Sequence, residues 1–288
     1  MSFIKRDLSD HHYILLSSLY GRDLGGILYF KWKHYQDPQF RFLKNRKKAI
    51  FYEEKNRDLG IFVASKYKFY INKECLDVSL QGDLGISCSI RSRSVLINFF
   101  HEIHDRECDL EMCFSDDRKI QTYEMIYKRY FTKNTEVINY SELTLSSNQM
   151  VRCDEFDKLN IENIPFENTL GRKRDLQYIN YLEANPLYKK VRYITDGKFY
   201  AVIGESESCC EILDLSSPTI EGFSWAIKAT MAFSSYCKVL VRKEHVKAIT
   251  SLTNSTIFYS KSINLLLGIH MNKEIDTKNL WVGRIDRR

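Results

Sequence analysis

The sequence predicts an α/β protein (an α+β mixed sheet with packed helices) built as two successive units of one plan. Three observations carry that expectation. Runs of β-formers come in groups of three, each group gives way to helical periodicity, and both halves present these elements in the same order. A length of 288 residues suits two domains of the usual ~100–200 residues each.

Residues 9–20 open with the cap-forming Ser9 and Asp10 and read as a short helix ending at Gly21. Residues 28–38 are an aromatic-rich segment containing Trp32 and stopped by Asp37-Pro38, because proline disfavours helix in the residue before it. Segments 49–54, 60–71 and 75–90 then read as an antiparallel meander with tight turns at 66–68 and 72–73. After it, Val95, Leu96, Phe99, Phe100 and Ile103 fall on one helical face, with Ser92 and Ser94 suited to cap its start. A strand at 108–114 follows, then a helix at 120–130 carrying Tyr123, Ile126, Tyr127 and Tyr130 on one side.

Residues 141–170 are polar and weakly patterned, so the linker is placed there. The expected division is a first domain over 1–145, a linker over 146–164 and a second domain over 165–288. The second half repeats the plan. A helix at 175–184 ends at Asn185-Pro186, strands follow at 190–195, 198–205 and 210–216, and a helix covers 221–233. A strand at 238–242, a helix at 244–252 and two closing strands at 255–259 and 265–269 complete it. A local signature supports duplication: Phe30 and Tyr178 each stand eight positions before an Asx-Pro step, which an aromatic and then a basic residue follow.

The composition excludes several classes. Hydrophobic residues make up 44%, with only 4 Pro and 12 Gly, so a core is available and disorder is not expected. The net charge of +6 is spread among 37 acidic residues, without the concentrated stripe of a nucleic-acid binder. The short basic clusters Lys44-Asn45-Arg46-Lys47-Lys48 and Arg172-Lys173-Arg174 read as solvated loops, as does the tail Arg284-Ile285-Asp286-Arg287-Arg288. The first residues lack an apolar stretch before a cleavage site, and no apolar run approaches the ~18 residues of a membrane span. A reducing cytoplasm is therefore the expected compartment, and the 8 cysteines are expected as buried thiols. No Gly-x-Ser-x-Gly elbow, P-loop or dinucleotide fingerprint is present. His101 and His104 lie at i and i+3 without an evident third ligand, so no metal site is expected.

A meander, a strand–helix crossover and a further strand–helix pair form an order that resembles the GNAT N-acetyltransferase superfamily, over roughly residues 1–140. In that family the loop that opens the helix after a central strand cradles the pyrophosphate of CoA. The matching stretch runs from Gly85 to Phe100, and the resemblance implies Ile86, Ser87, Cys88, Arg91, Ser92, Arg93 and Ser94 as the cradle. Helix N-termini bind phosphate through free amides and a partial positive charge, and Arg91 and Arg93 would add forked donors. Serines stand where the family's Arg/Gln-x-x-Gly-x-Gly/Ala pattern has both glycines, which narrows the loop's conformational range.

The resemblance also implies a tyrosine that protonates the departing thiolate. Ile126-Tyr127-Lys128-Arg129-Tyr130-Phe131 resembles the family's Leu-Tyr-x-x-x-Gly-Phe, one residue short, making Tyr127 the candidate general acid with Tyr123 and Tyr130 as alternates. Asp83 is the candidate base and Asp77 a second. The equivalent loop of the second half, Asp214 to Gly222, has no Arg or Lys. That half is expected to be a degenerate partner whose Trp225 and Tyr259 line an acceptor cleft.

The function implied is N-acyl transfer from acetyl-CoA or another acyl-CoA to a primary amine of a small polar acceptor, such as a nucleotide-linked amino sugar. The alternative is a non-catalytic binding or scaffold protein built on two decayed acyltransferase domains. Nucleic acid is the least favoured partner.

Overall fold

The computed structural model describes residues 2–38, 47–71, 74–158, 164, 170–271, 275 and 277–282, and the account below concerns those residues. Strand β1 (Ser2–Arg6) precedes helices α1 (Asp10–Tyr20) and α2 (Gly26–Tyr35). The Ser9 amide donates to His12 Nδ1 at 2.7 Å at the start of α1. Gly21 ends it at φ 64°, a left-handed conformation open to glycine at no Cβ cost.

The meander forms from β2 (Lys47–Glu54), β3 (Arg57–Ile71) and β4 (Glu74–Ile86). The turn predicted at 66–68 does not occur, and β3 runs through it. Tyr67 and Phe69 turn into the core while Lys66 and Lys68 point away to Asp105 and Asp77 at 2.6 and 2.5 Å. Alternating lysines had imitated a turn. The turn at 72–73 lies outside the described residues.

Helix α3 (Arg93–Ile103), strand β5 (Leu110–Ser115) and helix α4 (Ile120–Tyr130) stand where the periodicity put them. The polar stretch from 141 is not wholly linker, because β6 (Thr135–Ser147) occupies its start. Leu143 and Leu145 face one core and Tyr140 another, so the strand is covered on both faces despite Ser141, Glu142 and Thr144. Two-residue strands β7 (Asp154–Glu155) and β8 (Gly171–Arg172) lead to α5 (Leu176–Glu183) and to β9 (Lys190–Thr195), β10 (Tyr200–Glu205) and β11 (Cys210–Leu215). Then come α6 (Ile220–Thr230), β12 (Cys237–Arg242), α7 (Val246–Thr253) and β13 (Ser255–Ile269). The two predicted closing strands are thus one strand of 15 residues.

All but β8 join one sheet in the order β1-β2-β3-β4-β5-β13-β6-β12-β11-β10-β9-β7, and β8 pairs with β3. The halves exchange their last strands. β13 pairs with β5 of the first half, β6 pairs with β12 of the second, and β13 and β6 pair with each other along their length. Alternate residues of β2 and β3 face opposite sides. Ile50, Tyr52 and Phe62 pack under α3 and α4, whereas Phe51, Ile61 and Val63 pack under Leu16 of α1.

Helices α2 and α5 meet through the duplicated signature. Trp32 stacks on Tyr181 at 4.3 Å and 4°, its Nε1 donates to the Tyr181 carbonyl at 2.7 Å, and Asp37 and Asn185 are both buried. The Arg172-Lys173-Arg174 cluster is corrected from solvated loop to core. Arg172 donates to both Asp37 oxygens at 2.8 and 2.7 Å, Arg174 donates to Asp214 at 2.9 and 3.0 Å, and Lys173 alone is exposed. Both carboxylates are distant in sequence, so the pairing could not be read locally. Residues 44–46 and the tail 284–288 lie outside the described residues. Five cysteines are buried, while Cys75 and Cys88 are exposed. Burial, with Glu111 nearby, pushes the Cys113 thiol up to about 12. No helix among the described residues is long and apolar enough to cross a membrane.

Candidate active site

The site arises where two parallel strands part. β4 and β5 pair from Val78↔Leu110 to Gln81↔Cys113, and the pairing goes no further. Immediately beyond, β4 carries a bulge. Gly82 pairs with Val63 and Gly85 with Ile61, so Asp83 and Leu84 bulge out, with Asp83 at φ 53°. A bulge bends its strand and re-aims side chains, and here it turns β4 away from β5. A cavity of about 540 Å³ opens at this parting. Its walls include Tyr20, Lys33, Gln81, Tyr123, Glu142 and Lys261, contributed by α1, α2, β4, α4, β6 and β13.

Asp83 stands on this wall, held by Lys33 and His34. Lys33 Nζ donates to its oxygens at 3.0 and 2.8 Å, and His34 Nε2 lies at 3.1 Å. Burial would raise the Asp83 carboxyl, but Lys33 and His34 outweigh burial and hold it well below the usual carboxylate range. A carboxylate so held is a weak proton acceptor, and it fixes Lys33 and His34 in place. Glu142, on β6 and 7% exposed, faces the same cavity. Asp77 pairs with Lys68 and is not among the cavity residues.

Tyr127 is buried in the core of the first half, its ring against Phe100 and Phe131. Its hydroxyl sits beside the Gln81 carboxamide, whose weak contact is its nearest polar neighbour, and makes no hydrogen bond of good geometry among the described residues. Burial, then the charge of Glu111, pushes this phenol far up and keeps it protonated. Tyr123, one turn earlier, is on the cavity wall, and Tyr130 lies against His101 and Phe131.

The predicted cradle forms the exposed loop from the end of β4 to α3. The Ser87 amide donates to the Leu59 carbonyl at 2.8 Å, and the Ile90 amide to the Ser87 carbonyl at 3.2 Å, which closes a turn over Cys88 and Ser89. Ser92 caps α3 by accepting from the Val95 amide at 3.3 Å, and its hydroxyl meets that of Ser94 at 3.0 Å. Arg91 reaches back to the Ile86 carbonyl at 3.2 Å, and Arg93 reaches Met125 Sδ at 3.4 Å. The cradle borders the parting of β4 and β5 and does not line the cavity itself.

No family model matches this sequence, and no curated protein does either. Solved structures do. A GCN5-related N-acetyltransferase from Kribbella flavida superposes with TM-score 0.58 over 92% of this chain and 70% of its own, at 7% identity. One from Anabaena variabilis gives 0.55 over 92% and 72%, at 11% identity. A Pyrococcus horikoshii structure assigned to the acetyltransferases gives 0.56 over 95% and 92%, at 14% identity. The fold is that of the GCN5-related N-acetyltransferases.

Within this GNAT fold the second half is built differently. β11 and β12 pair only at Cys210↔Cys237 and Glu211↔Lys238. Asp214 is taken by Arg174, Thr219 caps α6 by accepting from the Gly222 amide at 3.2 Å, and a Cβ on Gly222 would lie 2.1 Å from the Ser217 carbonyl. Trp225 lies in the core of this half beside Phe199 and away from the cavity, because α6 is buried on nearly every side. Tyr259 stands on the cavity wall, at a bulge of β13.

Sequence reasoning missed Lys33, His34, Glu142 and Arg172 as cavity residues. The Asp37-Pro38 signature lay close to two of them. No local signal could reveal Glu142, whose strand was hidden in a polar stretch.

Proposed function

We propose that the chain is an acyl-CoA-dependent N-acyltransferase acting on the primary amine of a small polar acceptor. The observation that carries this reading is the parting of β4 and β5 at Gln81↔Cys113, opening onto a cavity lined by carboxylates and cations together. A parted strand pair leaves backbone amides free to polarise a thioester carbonyl, and the adjoining cavity positions the amine beside it.

In this reading acetyl-CoA or another acyl-CoA lies between the strands, its pyrophosphate on the loop of Ile86, Ser87, Cys88, Arg91, Ser92, Arg93 and Ser94. The acceptor occupies the cavity, with Tyr259 and Lys261 on its outer wall. Glu142 takes the proton that the acceptor ammonium must lose, and Asp83 acts by holding Lys33 and His34. The amine nitrogen then attacks the carbonyl, the C–N bond forms, the C–S bond breaks, and the nitrogen's second proton leaves to water. Tyr127, buried beside Gln81 and outside the cavity lining, gives its proton to the thiolate and regains one through water. The mixed charge of the wall favours a zwitterionic or phosphate-bearing amine, and a nucleotide-linked amino sugar belongs in the screen.

The test is release of free CoA thiol from acetyl-CoA over a panel of amines, for wild type and Glu142→Gln. Thiol release that depends on the amine and falls in the variant supports the reading. The serines in place of cradle glycines, with Ser92 and Arg91 already engaged by their own loop, favour a second reading as a non-catalytic binder. Acyl-CoA binding without thiol release across the panel would select it.

A further inference from the structure

The strand exchange places a second chemical site behind the first. His104 ends α3, Glu111 lies within β5, and His270 follows directly on β13. Their donor atoms converge: Glu111 Oε2 is 2.8 Å from His104 Nδ1 and 2.9 Å from His270 Nε2, and the three atoms lie within 4.8 Å of one another. The other carboxylate oxygen is anchored. Oε1 accepts from Gln81 Nε2 at 2.9 Å and from the Asp105 amide at 3.0 Å, so Oε2 is held toward both imidazoles.

The ligand positions are fixed from behind as well. The His104 ring stacks on Phe131 at 4.3 Å, and the backbone amides of His104 and His270 donate to the carbonyls of Phe100 and Asp109 at 2.9 and 3.0 Å. Supporting contacts of this kind preorganise metal ligands and set imidazole orientation. Glu111 is fully buried, and its ion-pair partners among the described residues are the two imidazoles. A divalent cation between the three atoms would exchange these hydrogen bonds for bonds to Oε2 and the two ring nitrogens, each imidazole keeping its proton on its other nitrogen.

We propose that His104, Glu111 and His270 form a binding site for a borderline divalent cation of the zinc class. Two imidazoles and one carboxylate are a donor set that zinc accepts, with water completing a tetrahedron. The side chains of His104 and His270 are 10% and 14% exposed, which gives an ion and a water a route in. Because the ligands come from α3, β5 and the end of β13, the bound ion clamps the exchanged strand to the first half. The sequence offered only His101 and His104 as a pair, and His104 turns out to ligate with partners 7 and 166 positions away (111 − 104 and 270 − 104). The inference does not depend on acyl transfer.

The experiment is calorimetric titration of chelator-treated full chain with Zn²⁺, repeated with Co²⁺ while its visible d–d bands are recorded. Wild type is expected to bind one equivalent and give a tetrahedral cobalt spectrum. His104→Ala and His270→Ala are each expected to weaken binding on the order of 100-fold, with circular dichroism showing that they fold. Glu111→Gln should do the same where it folds, and the histidine variants decide the matter where it does not. No binding by wild type at millimolar Zn²⁺ overturns the proposal. So does one-equivalent binding that survives both histidine substitutions, which would place the ion elsewhere, for example at the exposed Cys75 or Cys88.

Discussion

Replacing Tyr127 by Phe separates a catalytic hydroxyl from a structural one. The side chain is 1% exposed, and its hydroxyl makes no hydrogen bond of good geometry among the described residues. A core hydroxyl with only a weak contact to a carboxamide costs about 1–3 kcal/mol by desolvation, so removing it gives back part of that cost and loses little. Tyr127→Phe is therefore expected to be neutral or to stabilise the fold by about 1 kcal/mol, raising Tm by about 2–4 °C. Activity should move the other way. Loss of a general acid lowers kcat by about 10²–10⁴, and KM for the acyl-CoA should barely change, because the hydroxyl is used only as the C–S bond breaks. A thermal melt and a thiol-release assay on one preparation read both quantities. A Tm drop beyond about 4 °C with unchanged kcat would refute the reasoning, since the hydroxyl would then be a structural partner. In that case Tyr123→Phe becomes the variant expected to lose activity.

The remaining predictions follow from neighbouring features. Glu142→Gln should lower kcat on the order of 100-fold with little change in KM for the acyl-CoA, read from thiol-release kinetics. Gly268→Ala should destabilise by about 1–3 kcal/mol, seen in urea unfolding, because a Cβ there would lie 2.7 Å from the Tyr127 ring across the exchanged strand. Asp83 and Glu111 are both lowered in the folded chain. The stability they supply is therefore complete above their unfolded values of 3.8 and 4.5 and is lost as pH falls below them. The urea midpoint should fall progressively as pH drops below about 4.5, and Asp83→Asn should flatten that fall.

Much of the architecture was legible because it is written in local periodicity. The helix face Val95, Phe99, Phe100, Ile103 and the three-strand groups state their own burial. The Asx-Pro signature recurs in the sequence, and the structure buries Asp37 and Asn185 where α2 meets α5. What could not be read is set by long-range pairing. β6 hides behind Ser141, Glu142 and Thr144, and a two-residue period is weak when both faces are covered. The exchange of β6 and β13 leaves no local trace, yet it brings Tyr259 and Lys261 to the cavity and His270 to Glu111. The arginines at 172 and 174 looked solvated because Asp37 and Asp214, which neutralise them, are far away in sequence. The candidate cradle was found by pattern, whereas the ion cluster of Lys33, His34 and Asp83 required the fold.

Occupancy of the parted strands by acyl-CoA is the central claim, and calorimetric titration with acetyl-CoA and free CoA tests it most directly. Wild type should bind with micromolar Kd. Arg91→Ala/Arg93→Ala should weaken that by about thirtyfold, as two exposed phosphate contacts contribute about 1 kcal/mol each. Absence of binding at millimolar ligand, or binding indifferent to both arginines, would contradict it.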